Sequence, residues 1–235
     1  VQPALPFCPA AAATPALHAI GAEPSPLLII DDLLADWRAL VDAAATAVFS
    51  PVTDNLYPGI RAPMPLDFVG GLARALDPLL RDAFGLHTHT LARAECHFSL
   101  VTTAPADLVP LQCSPHIDTS DHRQIAVLLY LCDPRFGGTA FYRQAATGFE
   151  VITPEREAAW DAARDAALIA GAAGYAGDSA AGHEQIAAVV ARPNRLIAYQ
   201  SRRLHSGLIP DPDQLSTDPR TGRLTANIFI GYSGS

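Results

Sequence analysis

The chain has 235 residues, 49% of them hydrophobic, with 24 acidic and 16 basic side chains and a net charge of −8. That length and apolar content suit one domain with a sizeable core, and an acidic balance without a basic stripe argues against a phosphate-tracking nucleic-acid binder. No apolar run approaches the ~18 residues that a membrane helix needs, and Cys8, Cys96, Cys113 and Cys132 form neither a C-x-x-C pair nor a disulfide framework, so a reduced, cytoplasmic setting is expected.

Residues 1–26 are rich in Pro and Ala, lack the basic start of a signal peptide and predict an irregular arm. LLIIDD (27–32) predicts a short strand, with Asp31 or Asp32 capping a helix on which Leu34, Trp37, Leu40, Val41 and Val48 recur at roughly helical spacing. A second helical region starts near Pro65; Pro78, with Asp77 as a cap, is expected to break or restart it, and Gly85 to end it. From Thr88 the period becomes that of strands: HTLARAECHFSLV, the run from Arg123 to Cys132, and GTAFYR after Gly137 and Gly138, a pair suited to a tight reversal between antiparallel strands. Thr153, Pro154 and Glu155 open a further helix carrying Trp160, read as a packing residue, and a glycine-rich tract follows. Residues 144–186 thus read as an insertion of the lid or binding-loop kind. IAAVVA, RLIAYQ and RLTANIFIGY are the last strands. Helices first and antiparallel strands after them make an α+β pattern, with a β-sandwich or jelly-roll core over 93–235 and the strand and helices of 27–92 packed on one face of a single domain, 1–235.

The chemistry concentrates in SPHIDTSDHRQIAVLLYL. In an extended strand His116 and Asp118 leave the backbone on the same face, and His205, in RRLHSG after another strand, is the natural third ligand. Two imidazoles and one carboxylate on one face of a metal form the facial triad of non-haem Fe(II) oxygenases, although imidazole also suits Zn, Cu and Ni. His122 is the chief rival and reads as a loop residue. His97 reads as structural, His183 as part of the insertion, and His87 with His89 has no accompanying carboxylate. On the last strand Arg223, Thr225, Asn227 and Phe229 alternate with Leu224, Ala226, Ile228 and Ile230, which predicts a polar face toward a pocket and an aliphatic face toward covering helices.

With HID, HRQIAVLLYL, FGGTAFYR, LHSG and TGRLTANIFI in this order, the chain resembles the Fe(II)/2-oxoglutarate-dependent dioxygenases over roughly residues 93–232, in particular their prolyl-hydroxylase-like branch and a bacterial subgroup of that superfamily. The resemblance implies a double-stranded β-helix with His116, Asp118 and His205 as catalytic iron ligands. It implies Fe(II) as cofactor and 2-oxoglutarate as cosubstrate, the distal carboxylate of the latter meeting Arg223 and the Tyr130 hydroxyl, with Thr225 on the same strand face. A planar guanidinium fork suits a carboxylate. Because the loop after His205 is longer than the family commonly shows, Arg220 competes with Arg223, which is preferred for its place between Gly222 and the strand. The implied reaction is hydroxylation of an unactivated C–H of an amino acid, peptide or small natural product by dioxygen, releasing succinate and CO2, with no nucleic-acid or membrane partner. Tyr142, Arg143 and Gln144 would stand at the pocket mouth. A cupin-like metalloprotein of other chemistry and a non-catalytic jelly-roll binding module are the alternatives.

Overall fold

The computed structural model describes residues 5–23, 25–52, 56–171, 173–177 and 180–234. Their strands, in chain order, are β1 (Thr14–Ile20), β2 (Ser25–Asp31), β3 (Ser50–Pro51), β4 (Gly59–Pro63), β5 (His89–Val101), β6 (Gln124–Tyr130), β7 (Gly138–Gln144), β8 (His183–Val190), β9 (Arg195–Gln200), β10 (His205–Leu208) and β11 (Leu224–Gly234). Three α-helices accompany them among the described residues: α1 (Arg38–Thr46), α2 (Leu66–Ala83) and α3 (Glu157–Ile169). The strands pair antiparallel in two sheets, one ordered β1-β2-β9-β6-β11-β5-β4-β3 and the other β10-β7-β8.

The two-residue period of β11 explains how the layers stack. Leu224, Ala226, Ile228 and Ile230 share one core with Phe98, Leu100, Val127 and Leu129 of the neighbouring strands and with Leu40, Phe68, Leu72, Leu76 and Leu80 of α1 and α2. Arg223, Thr225, Asn227 and Phe229 line a cavity on the opposite face. A second core fills the space between the sheets, where Ala126, Tyr130, Ile197 and Tyr199 meet Phe136, Phe141 and Val189. Phe141 and Tyr199 touch edge to face at 5.1 Å. The alternate side chains of β7, Ala140 and Tyr142, point away from this core and pack with Ile152, Trp160 and Leu204 under α3. No helix among the described residues is long and apolar enough to cross a membrane.

Four local expectations are corrected. Within 1–26, Thr14–Ile20 is a strand rather than an irregular arm, pairing residue for residue with β2; nearly all its side chains are exposed, so no burial pattern marks it in the sequence. The start of α1 is served by Asp36, whose carboxylate accepts from the N–H groups of Arg38 and Ala39 at 3.1 and 3.3 Å. Asp31 and Asp32 are engaged instead by Arg195 and Arg192. Pro78 does not interrupt α2, because Phe68, Val69, Leu72, Ala73, Leu76 and Leu80 bury one continuous face along it, and such burial outweighs one missing backbone hydrogen bond. Gly137-Gly138 is not a hairpin turn: β6 and β7 lie in different sheets, and a 3-10 turn at Pro134–Phe136 leads into Gly137 at φ +86°. A Cβ there would lie 2.1 Å from the Leu208 carbonyl oxygen, so glycine is required by both backbone angle and space.

Candidate metal centre and its pocket

His116 joins the smaller sheet as an isolated bridge to His205, through two N–H···O bonds of 2.9 Å each. That pairing sets the imidazoles side by side, ring centroids 4.5 Å apart. The next bond, from the Asp118 N–H to the Ser201 carbonyl at 2.9 Å, fixes the residue two positions on. The three side chains therefore converge: one ligand atom from each of His116, Asp118 and His205 lies within 4.8 Å of the others, and His205 Nε2 is 3.8 Å from Asp118 Oδ2. His205 is buried, whereas His116 and Asp118 are open on the pocket side.

The tautomers are set by the backbone. His205 Nδ1 lies 2.8 Å from the Arg203 carbonyl, which can only accept, so Nδ1 carries the proton and Nε2 keeps its lone pair. The Ser114 backbone acts on the His116 ring in the same sense, favouring its N–H. A histidine that donates one ring N–H to a carbonyl and presents its other nitrogen is pre-arranged as a metal ligand. Electrostatics agree with that arrangement. Burial pushes His205 down to about 4 and, with the neighbouring His205 adding to it, His116 to about 4, so both rings are neutral at pH 7. Burial lifts Asp118 to about 6 against the pull of His116 and a Ser201 hydrogen bond. A divalent cation would reverse that rise, since an opposite charge favours the ionised carboxylate. Two neutral nitrogens and one carboxylate oxygen on one side of a cavity are a donor set that fits a first-row divalent metal such as Fe(II).

His205 is held from behind by a buried ionic cluster. The Arg203 side chain is fully buried, and its guanidinium meets Glu150 Oε2 at 3.3 Å and the Ile20 and Glu23 carbonyls at 3.0 and 3.2 Å. Glu150, also fully buried, takes Arg143 at 2.6 Å and the N–H groups of Ala22 and Glu23, both at 3.1 Å. Glu23 reciprocates by accepting from the N–H groups of Glu150 and Val151 at 3.0 Å each. The turn between β1 and β2 is thereby fastened to the segment whose carbonyl orients the His205 ring.

In front of the triad lies a cavity of about 720 Å³, a size usual for small-molecule sites. Arg223 is buried in its wall, donating from Nε to the Phe136 carbonyl at 3.1 Å and from Nη2 to the Gly138 carbonyl at 2.7 Å. These bonds leave the fork's remaining N–H groups for a ligand. Thr225 lines the same wall, its hydroxyl bonded to Asn227 at 2.8 Å. Tyr130 lies deeper, fully buried, its hydroxyl 2.6 Å from that of Thr139, and it is Thr139 that faces the cavity. Arg220 is at the surface, paired with Asp42 at 3.0 Å and away from the pocket.

Several residues stand elsewhere than expected. Tyr142, Arg143 and Gln144 are not at the pocket mouth: Tyr142 bonds the Gly177 carbonyl, Arg143 engages Glu150 and Glu184, and Gln144 bonds the Trp160 carbonyl. The sheet change at Gly137 turns their strand so that its pocket-facing residue is Thr139. His122 stacks edge to face on His89 outside the cavity, and His183 packs against Tyr142. Tyr57, Arg61, Tyr175 and Tyr199 line the cavity without having been marked by the sequence. Tyr57 and Arg61 lie in a turn-rich stretch with no period, and Tyr175 in the glycine-rich part of the insertion, where its hydroxyl bonds the Thr103 carbonyl at 2.6 Å. Only Tyr199 had a usable signal, since in RLIAYQ it shares a strand face with Ile197.

Residues 11–230 match the model of a family of unknown function, DUF6445. No curated protein matches the chain in sequence. Among solved structures it is similar to the non-haem α-ketoglutarate-dependent epimerase SnoN from nogalamycin biosynthesis, at 13% identity and TM-score 0.46, covering 87% of this chain and 78% of that one. It is also similar to an N-substituted L-amino acid dioxygenase from Burkholderia ambifaria AMMD, at 13% identity, TM-score 0.42 and 94% coverage of both chains. HygX from Streptomyces hygroscopicus, solved with nickel and 2-oxoglutarate, gives 11% identity and TM-score 0.45, with 87% and 82% covered.

Proposed function

The chain belongs to the DUF6445 family, and on that footing we propose that it is an Fe(II)- and 2-oxoglutarate-dependent dioxygenase of the double-stranded β-helix kind, within the prolyl-hydroxylase-like branch, that hydroxylates a C–H bond of a small molecule or peptide. The observation that carries the proposal is the convergence of His116, Asp118 and His205 at one side of a cavity whose other wall holds the buried Arg223.

His116, Asp118 and His205 would hold the iron. When bound, Fe(II) with 2-oxoglutarate supplies the oxidising chemistry, using dioxygen and releasing succinate and CO2. The chain's own part is positioning. His116 and His205 are neutral at pH 7, and the Arg203 carbonyl sets the tautomer that leaves the His205 Nε2 lone pair free. Arg223, fixed by two backbone carbonyls, offers a pre-oriented fork to the distal carboxylate of 2-oxoglutarate. Thr225 and Thr139 add hydroxyls to that wall, and Tyr130 acts through Thr139 by holding its hydroxyl. Apolar Ile209 in the cavity lining would limit water there.

The test is anaerobic titration of the protein with Fe(II) and 2-oxoglutarate, read by the optical chelate band and followed by succinate formation in air. The wild type should give both. His116→Ala and Asp118→Ala should lose both, and Arg223→Met should weaken 2-oxoglutarate roughly 10- to 100-fold, the range of a charge-assisted hydrogen bond. Succinate formation at the wild-type rate in either ligand variant would overturn the proposal.

A further inference from the structure

Four residues stand in one row across the larger sheet. Arg93 of β5 is opposite Gly231 of β11, and Gly231 is opposite Gln124 of β6. Ser201, the residue after β9, closes the row by donating its N–H to the Gln124 carbonyl at 3.0 Å, and its own carbonyl accepts the Asp118 N–H at 2.9 Å. Directly opposed residues of antiparallel strands share a face, and Arg93, Gln124 and Asp118 all line the cavity. Side-chain hydrogen bonds run the length of the row. Arg93 Nη2 donates to Gln124 Oε1 at 3.0 Å and Gln124 Nε2 donates to Ser201 Oγ at 3.3 Å. The Ser201 side chain is in turn a hydrogen-bond partner of the Asp118 carboxyl, favouring its ionised form.

Donor and acceptor chemistry leaves one assignment for this chain. A guanidinium only donates, so the Gln124 amide must turn its oxygen to Arg93 and its NH2 to Ser201. The Ser201 oxygen thereby receives a proton, and its single O–H is left for the Asp118 carboxylate. Each bond sets the direction of the next. The middle of the row is built for it. Arg93 and Gln124 are two strand spacings apart, about 10 Å between backbones, so the arginine side chain has to cross β11. It crosses over Gly231, where a Cβ would lie 2.8 Å from both Cγ and Nε of Arg93; a glycine leaves that path open. The other contact of Arg93, with Glu95 at 3.8 Å between two largely exposed side chains, is of a kind worth little and does not account for the crossing.

We propose that Ser201, Gln124 and Arg93 are positioning residues for Asp118: their relay fixes the rotation of its carboxylate, keeping Oδ2 aimed beside His205 Nε2, 3.8 Å away, and ties that aim to the rim of the cavity. This rests on the metal-centre reading above and deepens it, since the carboxylate ligand is then held by a line of polar side chains reaching across four strands, as the imidazole of His205 is held by the Arg203 carbonyl.

Co(II) is the probe, added anaerobically to the full chain and read in two ways: by calorimetry for affinity and, at saturation, by its visible d–d bands, which follow ligand geometry. Ser201→Ala should weaken Co(II) roughly 10- to 100-fold, the usual cost of removing a partner behind a metal ligand, and should shift the saturated bands. Ser201→Thr, which keeps the hydroxyl, should restore both. Gln124→Met, which keeps the length and loses the amide, should shift the bands and weaken Co(II) roughly tenfold. Arg93→Met, one bond further out, should weaken it roughly two- to tenfold, the net worth of one hydrogen bond, and Arg93→Lys should recover part of that. Gly231→Ala removes no hydrogen-bonding group, yet it should act as Arg93→Met does, by blocking the crossing. Gly85→Ala, placed away from the centre, should keep wild-type affinity and bands, so that lost stability is not mistaken for lost positioning. Where a Ser201 variant fails to fold, the Gln124, Arg93 and Gly231 variants decide. Wild-type affinity and bands in Gln124→Met, Gly231→Ala indistinguishable from wild type, or a loss in Ser201→Ala that comes without a band shift and that Ser201→Thr does not restore would each overturn the relay. A wild type that binds no Co(II) would remove the metal centre itself, and the relay with it, and is scored before any variant.

Discussion

Glu150 shows how much one buried side chain can govern. Its carboxyl is pushed up by burial, but the Ala22 N–H, Arg143, the Glu23 N–H and the charge of Arg203 outweigh that and hold it below its ordinary value of 4.5. A carboxyl depressed on folding contributes stability that is complete above the unfolded value and is lost as pH falls through the folded one. Acidification below about pH 4.5 should therefore loosen the link between the β1–β2 turn and Arg203, and Glu150→Gln should flatten the acid limb of a stability-versus-pH profile. At neutral pH the same variant leaves the fully buried Arg203 without its counter-charge, a loss of about 3–5 kcal/mol measurable by urea denaturation. Because the Arg203 carbonyl orients His205, metal affinity should fall as well, which calorimetric titration with Co(II) would read. An unchanged acid limb in Glu150→Gln would show that another group governs it.

Among the elements, the join between the sheets is tightly constrained. Gly137 combines φ +86° with a close approach to the Leu208 carbonyl on β10, the strand that begins with His205. Gly137→Ala should cost about 1–3 kcal/mol from the backbone angle and more from the clash, and it should weaken metal binding by displacing β10. Gly85 provides the contrast. It has φ +69° with nothing near its would-be Cβ, so Gly85→Ala should cost only the backbone angle, about 1–2 kcal/mol, and leave metal affinity unchanged. Equal urea midpoints for the two variants would contradict this account. The same join explains why GGTAFYR misleads as a sequence: paired glycines suit a hairpin, and only the neighbouring strand reveals that the chain changes sheets there.

In the proposed reading the molecule as a whole would convert metal binding into stability, since the candidate ligands come from the β9–β10 region and from a bridge nearly ninety residues earlier. A ligand that binds only the folded chain stabilises it by about 2.7 kcal/mol at a hundred times its Kd, or roughly 5–10 °C in Tm for a chain of this size. Anaerobic Fe(II), or Co(II) as a stand-in, should raise the calorimetric Tm by that much, and chelation should return it. His205→Ala should show no such response. A wild-type Tm indifferent to both metals would argue against a metal centre.

The local sequence was enough to bring the His116 and Asp118 side chains to one side of the chain, because that follows from the two-residue period of extended backbone, although the two stand in an isolated bridge and a bend rather than in a strand. The same period divided β11 into a polar face holding Arg223 and Thr225 and an aliphatic face buried against the core with α1 and α2. It could not determine which distant segments meet. His205 comes beside His116 through backbone pairing across the chain, Arg220 turns to Asp42 at the surface while Arg223 turns inward, and Tyr142, Arg143 and Gln144 are engaged away from the cavity. Arg61, on a strand of only five residues, and Tyr57, in the turn-rich stretch just before it, had no pattern to betray them, since so short an element has too little period to read. Side-chain direction along one strand is a local property of the backbone, whereas the neighbour across a sheet is chosen by the packing of the whole chain, and this pocket is built from such neighbours.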